Sequence, residues 1–137
     1  MIIDVHSHAW KFPSDFSDDF IRQAARARPG TAVDLKVGYD AYRAAAPDDT
    51  RTVVFGGKAR LSGLWVDDQT VADYVARDVE RLIGFLSVDP TQDGWEHEMR
   101  VGREELGLRG IKLLPMYAGF SPDDGKLEPL WQYAGRH

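Results

Sequence analysis

The sequence predicts an α/β fold of about four parallel βα units. Short apolar stretches typical of strands alternate along the chain with stretches that have helical periodicity or helix caps. After the second strand these apolar stretches recur roughly every 30 residues, which is the length of a βαβ unit with a helical crossover. Two histidines stand at the end of the first strand, where parallel α/β folds place their functional sites. Four such units make half of an eight-fold barrel, or a small open doubly wound sheet.

Composition narrows the classes of protein. The chain of 137 residues is long enough for one domain with a hydrophobic core. A formal net charge of −5 argues against nucleic acid as a partner, because phosphate binding needs a concentrated basic surface. Without cysteine, disulfides and thiolate sites are excluded. No stretch resembles a signal peptide or a membrane span. We expect one cytoplasmic domain, residues 1–137, with no membrane contact.

The first strand, predicted over residues 1–8, carries the strongest functional signal. Its β-branched residues form a run that is typical of a buried strand. Alternation along a strand places Asp4, His6 and His8 on one face, with neighbours about 6–7 Å apart at Cα. Two imidazoles at the open end of a strand can bind one divalent ion. The alternative is two ordinary polar residues at a strand end, because His-x-His is common by chance.

Two helices are predicted after this strand. Ser17 is a good N-cap, and the two aspartates that follow it suit the helix dipole. This helix should end near residue 28, before a Pro-Gly pair. A shorter helix is predicted over residues 39–46, where a proline follows.

The second strand is predicted over residues 52–55. The stretch 58–65 is predicted to be a loop, suited to act as a lid over a site. Gly56-Gly57-Lys58 has neither the Walker spacing nor a GxGxxG, so it is interpreted as a turn rather than a phosphate loop. Asp68 is predicted to cap the next helix, which has an apolar stripe: Val71, Tyr74 and Val75.

The second half of the chain repeats the alternation. A third strand is predicted over residues 82–88, and a helix follows over residues 92–106. The apolar face of that helix is predicted to be core: Trp95, Met99, Gly102 and Leu106. A fourth strand is predicted over residues 110–114, and a last helix begins near residue 127.

Three further side chains at strand ends are candidates for a substrate site. Lys112 could pair with a substrate carboxylate or, once carbamylated, bind a metal. An equally good interpretation is that its side chain extends from the strand end to solvent. Trp10 and Tyr117 follow the first and fourth strands, where each could line a pocket or pack within its loop. His97 lies between two glutamates on a predicted helix and is expected at the surface.

An ordered set of motifs adds a family resemblance. These motifs are IDVHSH at residues 3–8, RLIGF at 81–85, VDP at 88–90, EELGLRGIKL at 104–113, YAGF at 117–120, PDD at 122–124 and LEPLW at 127–131. The set resembles the amidohydrolase superfamily, and more narrowly the amidohydrolase 2 branch of metal-dependent hydrolases and decarboxylases. The resemblance implies the N-terminal half of a TIM-like (β/α)8 barrel. It also implies that His6 and His8 bind a divalent metal, commonly zinc.

The resemblance further implies that part of the metal site is missing. The other family ligands are histidines on the fifth and sixth strands and an aspartate on the eighth strand, which usually also accepts the proton. The chain reaches His137 before a fifth strand, so it contains no catalytic aspartate, and Leu114 stands where many relatives carry a histidine. A half barrel exposes unpaired edges on its first and fourth strands. We expect either the N-terminal part of a longer enzyme or a homo-oligomer that covers the open half-barrel.

The leading functional hypothesis is a metal-dependent hydrolase that acts on a C–N or C–O bond of a small molecule, or a non-oxidative decarboxylase of a small carboxylic acid. His6 and His8 would hold the ion, with Asp4 beneath them and Lys112 on a substrate carboxylate. A TatD-like or PHP-type phosphoesterase ranks lower, since the fourth strand has no glutamate. The third hypothesis is a catalytically incomplete half-barrel that acts as a structural or interaction module.

Overall fold

The computed structural model describes residues 1–137 and contains six strands and six α-helices. The strands are β1 (Ile2–His8), β2 (Thr50–Phe55), β3 (Lys58–Ala59), β4 (Leu64–Trp65), β5 (Leu82–Ser87) and β6 (Ile111–Lys112). The helices are α1 (Asp18–Ala27), α2 (Tyr39–Ala45), α3 (Asp68–Val75), α4 (Trp95–Glu104), α5 (Pro115–Ala118) and α6 (Glu128–Arg136), with 3-10 turns at Arg60–Ser62 and Gly125–Leu127. No helix is long and apolar enough to cross a membrane.

The main sheet has four parallel strands in the order β1-β2-β5-β6. Spatial order follows chain order, as it does in a barrel, whereas a doubly wound sheet reverses its order at a switch point. The sheet is curled, and the prediction of half of a TIM-like barrel is confirmed. Strands β3 and β4 form a separate antiparallel pair beyond the carboxyl end of β2.

The hydrophobic core lies between the main sheet and the helices. Val54 of β2 and Leu86 of β5 are at most 1% exposed, and they belong to one buried cluster with Met99 of α4. Gly102 lets α4 approach the sheet, because a Cβ at this position would lie 2.9 Å from the Leu86 side chain. The predicted apolar face of this helix is therefore core, as expected.

Strand β1 is exposed, although its sequence predicts a buried strand. Ile3 is 56% exposed and Val5 is 68% exposed. The reason is positional, because β1 pairs with β2 on one side and has no neighbour on the other. A run of β-branched residues indicates that a strand forms, but the strand is buried only when a second strand pairs with its other edge.

The pairing of β1 with β2 contains an irregularity. Asp4 pairs with Thr52 and Ser7 pairs with Val54, so β1 advances three residues while β2 advances two. The extra residue interrupts the side-chain alternation that the sequence predicts for this strand. Paired residues on neighbouring parallel strands point to the same face of the sheet. The Thr52 hydroxyl forms a hydrogen bond with the hydroxyl of Tyr42 on α2, so Thr52 faces the helices. Asp4 therefore points toward the helix-covered face.

The predicted helices are present, with small changes in their ends. Ser17 caps α1, since its Oγ accepts a hydrogen bond from the Phe20 N–H at 3.1 Å. Helix α4 begins at Trp95 rather than residue 92, because Gly94 has a left-handed backbone with φ of 84°. The short helix α5 was not predicted, since four residues are too few to show periodicity.

Two predictions between β2 and α3 are wrong. The stretch 58–65, predicted to be a lid loop, forms β3, a 3-10 turn and β4, and its side chains Lys58, Ala59 and Leu64 are at most 5% exposed. Asp67, not Asp68, occupies the N-cap position of α3. The Asp68 carboxylate points into the protein because a buried ammonium lies there.

Candidate metal centre

A cavity of about 570 Å³ opens at the carboxyl ends of β1 and β6. Five residues singled out from the sequence line it together: His6, His8, Trp10, Lys112 and Tyr117. These residues come from both outer strands of the half barrel and the segments that follow them. The fold thus gathers at one edge side chains that are more than 100 positions apart in sequence. Their roles in binding stay predictions.

The two histidines lie side by side at the end of β1. Their ring centroids are 5.1 Å apart, in an edge-on arrangement. The Phe55 ring packs against both imidazoles, 5.0 Å from His6 and 4.9 Å from His8. The indole of Trp10 stacks on His8 at 4.1 Å. Aromatic contacts therefore fix the orientation of both imidazoles.

His8 is held in its neutral form. Burial, together with the nearby His6 and Lys112, lowers the pKa of His8 to about 4. Its Nδ1 atom is buried and has no hydrogen-bond partner. Neutral imidazole with a free nitrogen is the form that binds metal ions. His8 therefore fits a metal ligand.

Lys112 brings a positive charge to the same cavity. Its Nζ lies 4.5 Å from the centre of the Phe55 ring, the ring that also touches both histidines. The ammonium forms no ion pair with any carboxylate of the chain. A cation without a counter-ion in a partly apolar cavity is suited to bind an anionic group.

Trp10 and Tyr117 have different surroundings. The Trp10 Nε1–H donates a hydrogen bond to the Leu35 carbonyl oxygen at 2.5 Å, so the indole is fixed between His8 and the segment after α1. Tyr117 is 50% exposed and lies at the edge of the cavity. Trp10 therefore forms a rigid wall, whereas Tyr117 can contact a ligand from the solvent side.

Asp4 does not line the cavity. Its Oδ1 accepts a hydrogen bond from the His6 backbone N–H at 2.9 Å. Asp4 thus contacts His6 through the main chain rather than through the imidazole, at the place where the strand alternation is interrupted. Its predicted support of the histidines stays a prediction, and the structure offers only this backbone route.

The sequence interpretation missed one wall of the cavity. Phe20, Ala24 and Ala27 of α1 line it, and residues 31–35 continue the wall. These three residues have the i, i+4, i+7 spacing of a helical stripe, which could have identified them. None of the α1 residues is buried. Phe20 and Ile21 pack on a small buried cluster of Phe16, Leu64 and Val66, and the rest of the apolar side faces the cavity.

A second missed feature is a buried ionic network next to the hairpin of β3 and β4. The Lys58 Nζ donates to Asp68 Oδ2 at 2.8 Å and to Glu98 Oε2 at 2.9 Å. Asp68 Oδ1 also accepts the Ser87 backbone N–H at 2.9 Å. Two carboxylates hold the Lys58 ammonium, so it is not available to a phosphate. Gly56 and Gly57 form an irregular link between β2 and β3 rather than the predicted turn, and Lys58 itself begins β3.

The chain by itself does not have a complete set of metal ligands. It contains no cluster of three or more His, Asp or Glu side chains that could hold an ion. Catalytic zinc normally has three protein ligands and a water. His6 and His8 fit two of these positions by their proximity and by the neutral state of His8.

Comparison with known proteins agrees with the fold. The sequence model of the family described as amidohydrolase matches residues 3–137. No curated protein and no solved structure matches the chain. The matched range contains both histidines, Lys112 and, apart from Ile2, all four strands of the half barrel. Amidohydrolases generally bind divalent metals. The chain belongs to the amidohydrolase family.

Proposed function

We propose that the chain provides the metal-binding half of a zinc-dependent hydrolase that acts on a C–N or C–O bond, or of a non-oxidative decarboxylase of a small carboxylic acid. The observation that carries this proposal is the pair His6 and His8, which share one cavity with the unpaired ammonium of Lys112. The family membership of the chain supports the same class of chemistry.

Each residue of the cavity has a defined task in this proposal. His6 and His8 hold the ion, which when bound polarises a carbonyl or carboxylate and lowers the pKa of a water molecule. Lys112 binds a carboxylate of the substrate through a charge-assisted hydrogen bond. Trp10 and the α1 wall enclose the apolar part of the substrate and keep water away from it.

Metal analysis of the purified chain tests the proposal. We expect zinc to bind the wild-type protein and to be lost from the His6→Ala/His8→Ala variant. His97→Ala is the matched control, because His97 is an exposed histidine on α4 and its loss should leave the zinc content unchanged. Equal zinc content in the double variant and in the wild type would refute the assignment of His6 and His8 as ligands.

A second candidate is a catalytically incomplete half-barrel that acts as a structural or interaction module. The observation in its favour is the lack of a cluster of three metal ligands within the chain. Assays of zinc-loaded protein on N-acyl amino acids, carboxylic esters and hydroxybenzoates separate the two candidates. Turnover that depends on zinc and on His8 supports the enzyme, and the absence of both zinc binding and turnover supports the module.

A further inference from the structure

The segment that follows α1 covers the cavity with few attachments to the rest of the chain. Residues 31–37 form this cavity segment, and its first five residues line the cavity. No backbone group of residues 32–37 forms a hydrogen bond with another backbone group. The Lys36 N–H bonds the carboxylate of Asp34, which is a contact within the segment. Backbone hydrogen bonds therefore do not hold residues 32–37 in place.

One side-chain hydrogen bond joins residues 32–37 to another part of the chain. The Trp10 Nε1–H donates to the Leu35 carbonyl oxygen at 2.5 Å, across 25 positions of sequence. The Leu35 side chain adds an apolar contact, because it packs against the small buried cluster that contains Phe16. Trp10 and Leu35 are therefore the principal attachments of the cavity segment.

The same indole contacts a predicted metal ligand. Trp10 stacks on the His8 imidazole with ring centroids 4.1 Å apart and an angle of 22° between the rings. The Phe16 ring meets the indole edge-on at 5.2 Å. Ring contacts with two neighbours and a bonded N–H fix the orientation of the indole. Trp10 thus connects the cavity segment to His8 through two direct contacts.

We propose that Trp10 is a positioning residue for His8, and that its bond to Leu35 makes the cavity segment part of the metal centre. While the segment covers the cavity, the bonded indole keeps the His8 imidazole in one orientation. When the segment moves away, Trp10 loses its acceptor, and the ring that stacks on His8 is no longer fixed. The role at a metal ion rests on the proposed function, whereas the attachment of the segment through Trp10 does not.

A link of this kind acts in both directions. A fixed cavity segment favours metal binding, because the His8 imidazole is already oriented. An occupied ligand site in turn fixes the imidazole, and through Trp10 it stabilises the segment in its place over the cavity. The cover of the cavity and the order of the metal site should therefore change together.

NMR relaxation of the metal-free chain tests the link from both ends. Trp10→Phe keeps an aromatic ring beside His8 and removes the N–H donor. We expect the backbone order parameters of residues 32–37 to fall from about 0.85 to below about 0.6, and the order of the His8 ring to fall with them. Leu35→Ala weakens the other attachment of the segment. It should lower the order of the His8 ring in the wild type, with no further effect in Trp10→Phe.

Zinc affinity, measured by competition with a chelator, gives a second readout. Trp10→Leu removes the stacking ring and should raise the zinc dissociation constant roughly fivefold, and Trp10→Phe should recover part of this loss because a ring remains. Trp131→Phe is the matched control, since Trp131 is a half-exposed indole on α6 that does not line the cavity. It should change neither the zinc affinity nor the order parameters.

Three results would overturn the proposal. The first is an unchanged order of residues 32–37 in Trp10→Phe. The second is a mobile segment beside an unchanged His8 ring, because the two contacts of the indole would then be independent. The third is equal zinc affinity in the wild type and Trp10→Leu. If the wild type binds no zinc and the segment and the His8 ring still loosen together, the link stands and the proposed function is refuted. Zinc binding together with any of the three results refutes the link and leaves the proposed function in place.

Discussion

Two lysines near the same edge of the sheet have opposite environments. Lys58 is 4% exposed, and its ammonium bonds two carboxylates. Lys112 lies over the Phe55 ring in the cavity and has no carboxylate partner. Lys58 begins β3 and Lys112 ends β6, and the local sequence around either lysine does not tell the two environments apart. The difference shows that the partners of a lysine, more than its position in a strand, separate a structural cation from one available to a ligand.

The two environments also differ in what a lost partner costs. Burial disfavours charge on Lys58, but Asp68 and Glu98 outweigh this effect and raise the pKa of Lys58 above its ordinary value of 10.5. Burial raises the pKa of Asp68, and the bonds from Lys58 and the Ser87 N–H oppose the rise. Removal of Lys58 or Asp68 alone leaves a buried charge without its partner and lowers the stability of the fold. Lys112 has no carboxylate partner to lose.

The largest effect is expected from the removal of the buried carboxylate. Asp68→Ala leaves the Lys58 ammonium with only the half-buried Glu98 and leaves the Ser87 N–H without an acceptor. We expect a loss of about 3 kcal/mol or more in the free energy of unfolding, measured by urea denaturation. A loss below about 1 kcal/mol would contradict the assignment of a structural role to this network.

A matched double variant separates charge from packing. Lys58→Met/Asp68→Asn removes both charges, keeps the volume and keeps an acceptor for the Ser87 N–H. Its free energy of unfolding should lie within about 1 kcal/mol of the wild-type value, because the one carboxylate left without its partner, Glu98, is 37% exposed and can be hydrated. If it is as unstable as Asp68→Ala, the lost charge pair itself stabilises the fold.

A change at the other lysine should affect binding rather than stability. With benzoate as a probe, Lys112→Met should weaken the affinity of the zinc-loaded protein roughly tenfold, because one charge-assisted hydrogen bond is lost. The free energy of unfolding should fall by less than about 1 kcal/mol, the value of an exposed cation–π contact. Calorimetric titration and urea denaturation measure the two effects.

Lys126→Met is the control for this change, since Lys126 is an exposed lysine without an ion-pair partner. It removes the same charge and should leave benzoate binding unchanged. If both lysine variants bind benzoate equally well, Lys112 is not the anion site. If Lys112→Met lowers stability as much as Asp68→Ala, the contrast between the two lysines fails.

The smallest effect concerns alkaline pH. Because the folded state raises the pKa of Lys58, its contribution to stability is present below pH 10.5 and is lost as the pH rises through the raised value. Above pH 10.5 the wild type should therefore lose stability more steeply than Lys58→Met/Asp68→Asn. Thermal denaturation of both proteins across this range measures the difference. Parallel curves would show that Lys58 titrates at its ordinary pKa.

The sequence predicts the main elements well, because local signals define them. The cap at Ser17 and the proline after α2 are read from adjacent residues, and both helices are present. The four apolar stretches become the four parallel strands of the sheet. The carboxyl ends of parallel strands meet at one edge, which is why the histidines and Lys112 could be predicted to share a site.

Long-range features could not be predicted from local pattern. The exposure of β1 depends on a missing neighbour, and the irregularity after Asp4 depends on its register with β2. Lys58 finds its partners 10 and 40 positions away, on α3 and α4. Such pairs leave no periodic signal, because they are created only when the helices pack on the sheet.

Helix α1 determines how the cavity responds to its contents. No residue of α1 is buried, and only its Phe20 and Ile21 pack on a buried apolar cluster, which is the small one that contains Phe16. Less apolar surface is therefore lost when α1 separates than when an element of the main core does, and its local opening requires less free energy. Its amide protons should therefore exchange with solvent long before those of β5, whose flanking side chains belong to the core. The cavity thus lies between a helix that can open locally and a sheet that stays fixed. Its width can therefore adapt to ligands of different size while the histidines keep their positions.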